Sequence, residues 1–169
     1  MNTHLGNPEL TPTSTLAWSD LDGTDMQRVL RGGVIAGVLD AVDGVVAFGL
    51  VLGMNPIQVL QYIASGVLGA SAFTGGLTTA ALGAVLHFLI AFVAAGVYVA
   101  ASRWLTVLRA HPVLCGVPYG VGVYVFMNYI VLPLSAVPTS GFSTVLLNGV
   151  IGHALFVGLP IAWAARRSA

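Results

Sequence analysis

Residues 29–52 read VLRGGVIAGVLDAVDGVVAFGLVL, and apart from Arg31, Asp40 and Asp43 every position is apolar or glycine. About 20 mostly apolar helical residues cross a hydrocarbon core of about 30 Å, so this stretch predicts a transmembrane helix. At helical spacing Gly33, Ala36, Gly37, Gly44 and Ala47 fall in one stripe with the two aspartates. Val34, Ile35, Val38, Val42, Val45 and Val46 point elsewhere. The small stripe is expected to face protein and the branched one lipid, because small residues let helices approach closely in a bilayer.

Three further stretches, at about 77–101, 113–132 and 142–165, have the same length and apolarity. The expected fold is all-α: a four-helix transmembrane bundle forming one domain over residues 28–169. Residues 1–27 hold Glu9, Asp20, Asp22 and Asp25 with no basic segment leading into an apolar one, and read as a flexible polar leader rather than a signal peptide. The six arginines set the orientation. Arg28 and Arg31 stand at the head of the first span, Arg103 and Arg109 between the second and third, and Arg166 and Arg167 after the fourth. All fall on one side, which the positive-inside rule assigns to the cytoplasm together with both termini.

The connection from the first span to the second is too long for a turn. It predicts a helix at about 56–68, opened by Asn55-Pro56, with Gln58, Gln61 and Ser65 on one face and Ile57, Leu60, Ala64, Val67 and Leu68 on the other. This amphipathic or re-entrant element is expected at the outer end of the bundle, with Gln58, Gln61 and Tyr62 as its interfacial residues. Trp104, Tyr62, Tyr119, Tyr129 and Trp163 lie near span ends, where aromatic side chains anchor at the membrane surface.

Composition sets the function classes. Hydrophobic residues make up 57% of the 169-residue chain and charged ones 7%, against about 25% in an ordinary soluble domain. A soluble enzyme is disfavoured by so few charges. With no lysine and a net charge of zero, the chain also lacks the clustered basic face of a nucleic-acid binder. The single cysteine, Cys115, excludes an internal disulfide and reads as a small apolar filler.

The residues that hydrocarbon does not favour are Asp40, Asp43, His87, Asn128, Asn148 and His153. A carboxylate at mid-span costs at least about 2.5 kcal/mol on insertion scales, so the pair at i and i+3 demands compensation. Counting 1.5 Å per residue from the inner end gives depths of about 14 Å for Asp40, 18 Å for Asp43, 20 Å for His153, 24 Å for His87 and Asn128, and 27 Å for Asn148. The six are therefore expected in one polar layer fed by all four spans, with Gly120 and Tyr124 as further inward groups and Pro118 as a kink.

Three readings of that layer stand side by side. Two adjacent carboxylates in low dielectric do not both ionise cheaply, so the pair with His87 or His153 forms a candidate proton or cation relay. His87 and His153 on separate helices are alternatively candidate haem or divalent-metal ligands, and a quinone is a third possible guest. In the last reading the layer fixes helix register in a non-catalytic subunit of a larger membrane complex. Gly33-x-x-x-Gly37 and Gly49-x-x-x-Gly53 would then serve homo-oligomer contacts. Motifs of metalloproteases, di-iron bundles, phosphate-binding loops and nucleophile elbows are absent from the sequence.

The run Asn55-Pro56-Ile57-Gln58-Val59-Leu60-Gln61-Tyr62-Ile63-Ala64-Ser65-Gly66, His87, and the Tyr124, Asn128, Tyr129, Pro133 series together resemble a group of small bacterial four-helix inner-membrane proteins. The resemblance covers about residues 30–165. It implies the topology and a place in the bacterial inner membrane, and it carries no activity.

Overall fold

The computed structural model describes residues 23–138 and 146–166. Their elements are α1 (Gly23–Leu52), α2 (Pro56–Leu68), a 3-10 segment (Gly69–Thr74), α3 (Gly76–Trp104), α4 (Val107–Ala110), α5 (Pro112–Phe126), a π segment (Met127–Val131), α6 (Leu132–Leu134), α7 (Leu146–Gly152), a second π segment (His153–Gly158) and α8 (Leu159–Ala165). No strand occurs among the described residues. Among the described residues five stretches are long and apolar enough to cross a membrane, the four expected ones and Pro56–Thr74. Large apolar side chains cover the outer surface: Leu50, Leu77, Leu114 and Leu134 are each more than 70% exposed. Water does not tolerate such a surface, and it is the form of a membrane protein.

α1 already includes Gly23, ahead of the expected start at 29, and takes residues 23–27 out of the expected leader. The reason is Asp25. A carboxylate in the first turn complements the positive end of the helix dipole, and Asp25 also pairs with Arg28 one turn on at 2.5 Å. The rest of the leader, 1–22, lies outside the described residues, as do residues 142–145 of the expected fourth span and Arg167.

The helices pack as antiparallel neighbours because glycine removes the side chain where they meet. Gly33 of α1 sits against Phe92 of α3, and Gly37 against Phe88 and Ala91. That GxxxG pair is thus used within the chain. On the other flank of α1, Gly32 meets Ile161 and Ala164 of α8, and Gly152 of α7 is pressed on Asp43. α5 crosses the fourth helical unit, made of α7, the second π segment and α8, at Gly116 and Gly158, and a methyl group added at Gly158 would overlap the Gly116 carbonyl. The resulting core contains Val29, Ala36, Ala94, Ala95, Tyr98, Val99, Val157, Ile161, Ala162 and Ala165, with Cys115 packed on its edge. It fills the half of the bundle nearer the arginines.

α2 opens with a complete capping box: Asn55 Oδ1 accepts from the Gln58 amide at 3.0 Å, and Gln58 Oε1 accepts from the Asn55 amide at 2.9 Å. Burial does not follow its two sequence faces: Gln58 is exposed and Ala64 is buried. Gln61 and Ser65 are buried, whereas Ile57, Val67 and Leu68 are exposed. Gln61 Nε2 donates to the Gly76 carbonyl at 3.0 Å, and the backbone of Leu60 and Ala64 lies on Gly83, so α3 covers one side of α2 while Ile57, Val67 and Leu68 are turned outward. The far end of α2 is tied to the end of the third unit by the Ala136 amide, which donates to the Gly66 carbonyl at 2.9 Å.

Pro118 lies inside α5 without interrupting it. The departures from α geometry fall elsewhere, in two π segments that each end two residues before a proline, Pro133 and Pro160. Proline supplies no amide hydrogen and its ring collides with the carbonyl four residues back, so a wider turn just upstream relieves both problems. The second of these segments begins at His153.

Candidate functional site

Two polar centres emerge from this packing, and they differ in kind. The first lies at the arginine end. Asp25, only 4% exposed in its side chain, stands 2.5 Å from Arg28 Nη1, 3.6 Å from Arg103 Nε and 3.3 Å from Arg109 Nη2. Arg109 Nε also donates to Ser102 Oγ at 2.9 Å, and Tyr98 OH to the Leu108 carbonyl at 3.0 Å. One buried carboxylate thereby joins the start of α1, the end of α3 and α4. The sequence reading missed this centre by leaving Asp25 in the leader. An acidic residue three positions before an arginine at the head of an apolar run was the available signal.

The second centre is midway along α1. Asp43 Oδ2 accepts from Asn148 Nδ2 at 3.1 Å. One turn earlier, Asp40 Oδ1 stands 3.6 Å from His153 Nδ1, with the two side chains 21% and 22% exposed. The glycine at 152 allows α7 to lie directly on Asp43. Tyr124 of α5 closes the site from behind. Its ring meets the His153 ring edge-on, with centroids 5.3 Å apart, and presses on Gly149. Asp40, Asp43, Asn148 and His153 therefore do come together, with Tyr124 beside them.

His153 Nδ1 also lies 3.0 Å from the Gly149 carbonyl. A carbonyl only accepts, so Nδ1 carries a hydrogen and Nε2 is the nitrogen free to gain one. The same argument applies to His87, whose Nε2 lies 2.8 Å from the Gly37 carbonyl of α1. His87 is thus bound to backbone from the α3 side, one turn nearer the arginine end than Asp40, rather than to a carboxylate. Asn128 does not reach the aspartates: its Nδ2 donates to the Tyr124 carbonyl of its own helix at 2.9 Å. A bond within one helix satisfies the amide as well as the expected interhelical one.

The two histidines each spend a ring nitrogen on a helix carbonyl, and they approach α1 from different neighbours. Among the described residues no group of three or more His, Cys, Asp or Glu side chains is placed to hold a metal ion. The aromatic positions divide in the same way. Trp104, Tyr129 and Trp163 are exposed, whereas Tyr119 points inward and its OH donates to the Ala94 carbonyl at 2.6 Å. Tyr62 packs on Phe48 of α1 with ring centroids 5.6 Å apart.

What the second centre can do chemically follows from its groups. It holds two carboxyls, one imidazole with a free lone pair and one amide donor, and no arginine pairs with either aspartate among the described residues. Such a set can take up and exchange a proton, or accept a small cation, without displacing an arginine. The chain matches no protein-family model, no curated protein and no solved structure.

Proposed function

We propose that this chain is a bacterial inner-membrane protein with a proton- or cation-linked function centred on Asp40, Asp43 and His153, and that it is not an enzyme acting on soluble substrates. The observation that carries the reading is the imidazole of His153 at 3.6 Å from Asp40, beside Asp43, which accepts from the neutral Asn148. At 3.6 Å the imidazole and carboxyl are beyond direct hydrogen bonding, so exchange needs a small rotation of the ring or one bridging water. Both side chains are about one-fifth exposed, which leaves the site reachable.

The topology that goes with this reading has four spans: α1, α3, α5 with its extension through α6, and α7 with α8. Arginines at the shared end of these helices put both termini in the cytoplasm. α2 is then an outer element embedded in lipid, in keeping with its outward Ile57, Val67 and Leu68. The apolar core between the site and the arginine end blocks a standing water path. A proton enters from the outer side, and its release inward requires the fourth helical unit to shift. The π segment beside Pro160 is the joint for that movement, since its wide turns carry weaker regular hydrogen bonding.

The test is flux. In vesicles containing the purified protein and an internal pH indicator, an acid step outside is expected to acidify the lumen. Asp43→Asn and His153→Gln should reduce the rate to that of protein-free vesicles. Unchanged flux in both variants, with folding intact, would overturn the proposal.

A further inference from the structure

A shallow groove of about 500 Å³ runs along the outer surface between α1 and the fourth helical unit, lined by Arg31, Ile35, Leu155, Leu159, Pro160, Trp163 and Ala164. Its walls are two ridges. Arg31 and Ile35 are one turn apart on α1, and Leu155, Leu159 and Trp163 stand at successive turns on the other side. Because Gly32 meets Ala164 while Asp43 meets Gly152, the helices run antiparallel and the groove has a direction. Arg31 and Trp163 mark the arginine end, and Leu155, two residues from His153, marks the deep end. At 1.5 Å per residue, the ridge from Trp163 to Leu155 is about 12 Å long.

We infer that this groove binds an anionic phospholipid, with the phosphate on Arg31 and one acyl chain laid along Ile35, Leu159 and Leu155. The inference rests on the chain lying in a membrane and is independent of the proton-linked reading.

Charge complementarity selects the occupant. Arg28, Arg103 and Arg109 are engaged by the buried Asp25, whereas Arg31 is exposed and makes no ion pair among the described residues. It sits at the head of an apolar channel on the face where Ile35, Leu155 and Trp163 are also exposed, so the partner must combine a negative head with a long apolar body. Trp163 at the same level supplies the amphipathic ring found at headgroup depth. A free phosphate satisfies only the arginine, and a zwitterionic lipid brings its own cation to the same place. A basic residue near the membrane surface contributes about 1 kcal/mol to holding an anionic lipid, which is about fivefold in affinity.

The experiment uses the full chain, delipidated in a neutral detergent, with native mass spectrometry and thermal unfolding as readouts. The probes are phosphatidylglycerol, phosphatidylcholine of identical acyl chains, and inorganic phosphate. Phosphatidylglycerol is expected to stay bound and raise the unfolding midpoint more than phosphatidylcholine does, with no rise from phosphate. Arg31→Gln should bind phosphatidylglycerol about fivefold more weakly, and Arg31→Lys should retain it. Leu159→Trp, which fills the groove and leaves the charge unchanged, should also lose the lipid. Equal retention of the two lipids, unweakened binding in Arg31→Gln, an equal rise with phosphate, or a dimer that dissociates in Leu159→Trp would each overturn the inference. Flux in vesicles remains a separate measurement, so failure here leaves the proton-linked reading to its own test.

Discussion

The two acidic centres of this protein are built from the same side chain and treated in opposite ways. Asp25 is buried to 4% and held among Arg28, Arg103 and Arg109. Asp40 and Asp43 lie deeper along the same helix, and their partners are an imidazole 3.6 Å away and a neutral amide. The first arrangement fixes three helical elements at one end, with charge matched to charge. The second leaves acidic groups where hydrocarbon penalises them and gives them an imidazole and an amide, with no arginine among the described residues. A carboxylate kept at that cost without a matching cation is better explained by what it exchanges than by what it holds together.

The comparison is broken or sharpened first at Asp25. Asp25→Asn leaves three guanidinium groups around a buried site without their anion, and is expected to destabilise the fold by about 3 kcal/mol or more in thermal or denaturant unfolding in detergent. A loss well below 1 kcal/mol would remove the distinction between the centres. Gly158→Ala comes next, because the added methyl group collides with the Gly116 carbonyl where α5 crosses the unit that carries His153. A cost of about 1–3 kcal/mol is expected for this overpacking, with flux falling in the same preparation as His153 is displaced. Tyr119→Phe removes the 2.6 Å bond to the Ala94 carbonyl in the core between the centres and should cost about 1 kcal/mol without altering flux.

Much of this was legible in the sequence because a straight helix makes spacing equivalent to direction. Gly33, Ala36, Gly37 and Ala47 are buried and Val34, Ile35, Val38, Val42 and Val46 exposed, as their period requires, whereas Gly44 and Val45 are both half-buried and a Cβ at Gly44 would meet nothing. Depth counting from the arginines gives Asp40 and His153 heights about 6 Å apart, and they lie side by side, whereas Asn148, about 9 Å farther out than Asp43 by the same count, nevertheless donates to it. Where the reading departed from the structure, a polar group had found a nearer partner than the one spacing offered. Asn128 folds back on Tyr124 of its own helix, and His87 takes the Gly37 carbonyl rather than joining the Asp40–His153 pair. In α2 the spacing offers Gln58, Gln61 and Tyr62 to the interface without naming a partner, and Gln61 is spent on the Gly76 carbonyl. The π segments have a visible trace in Pro133 and Pro160, but a proline alone does not say whether the helix kinks or widens.

The smallest expected effect is the most telling. The claim that the two centres differ in purpose is tested most directly by the unfolding midpoint of the double variant Asp40→Asn, Asp43→Asn, measured beside Asp25→Asn in the same detergent. Asparagine keeps an oxygen to accept from Asn148 and relieves hydrocarbon of two acids, so the midpoint is predicted to equal or exceed that of the wild type. A fall as large as that of Asp25→Asn would contradict the account and make the second centre a structural clamp like the first.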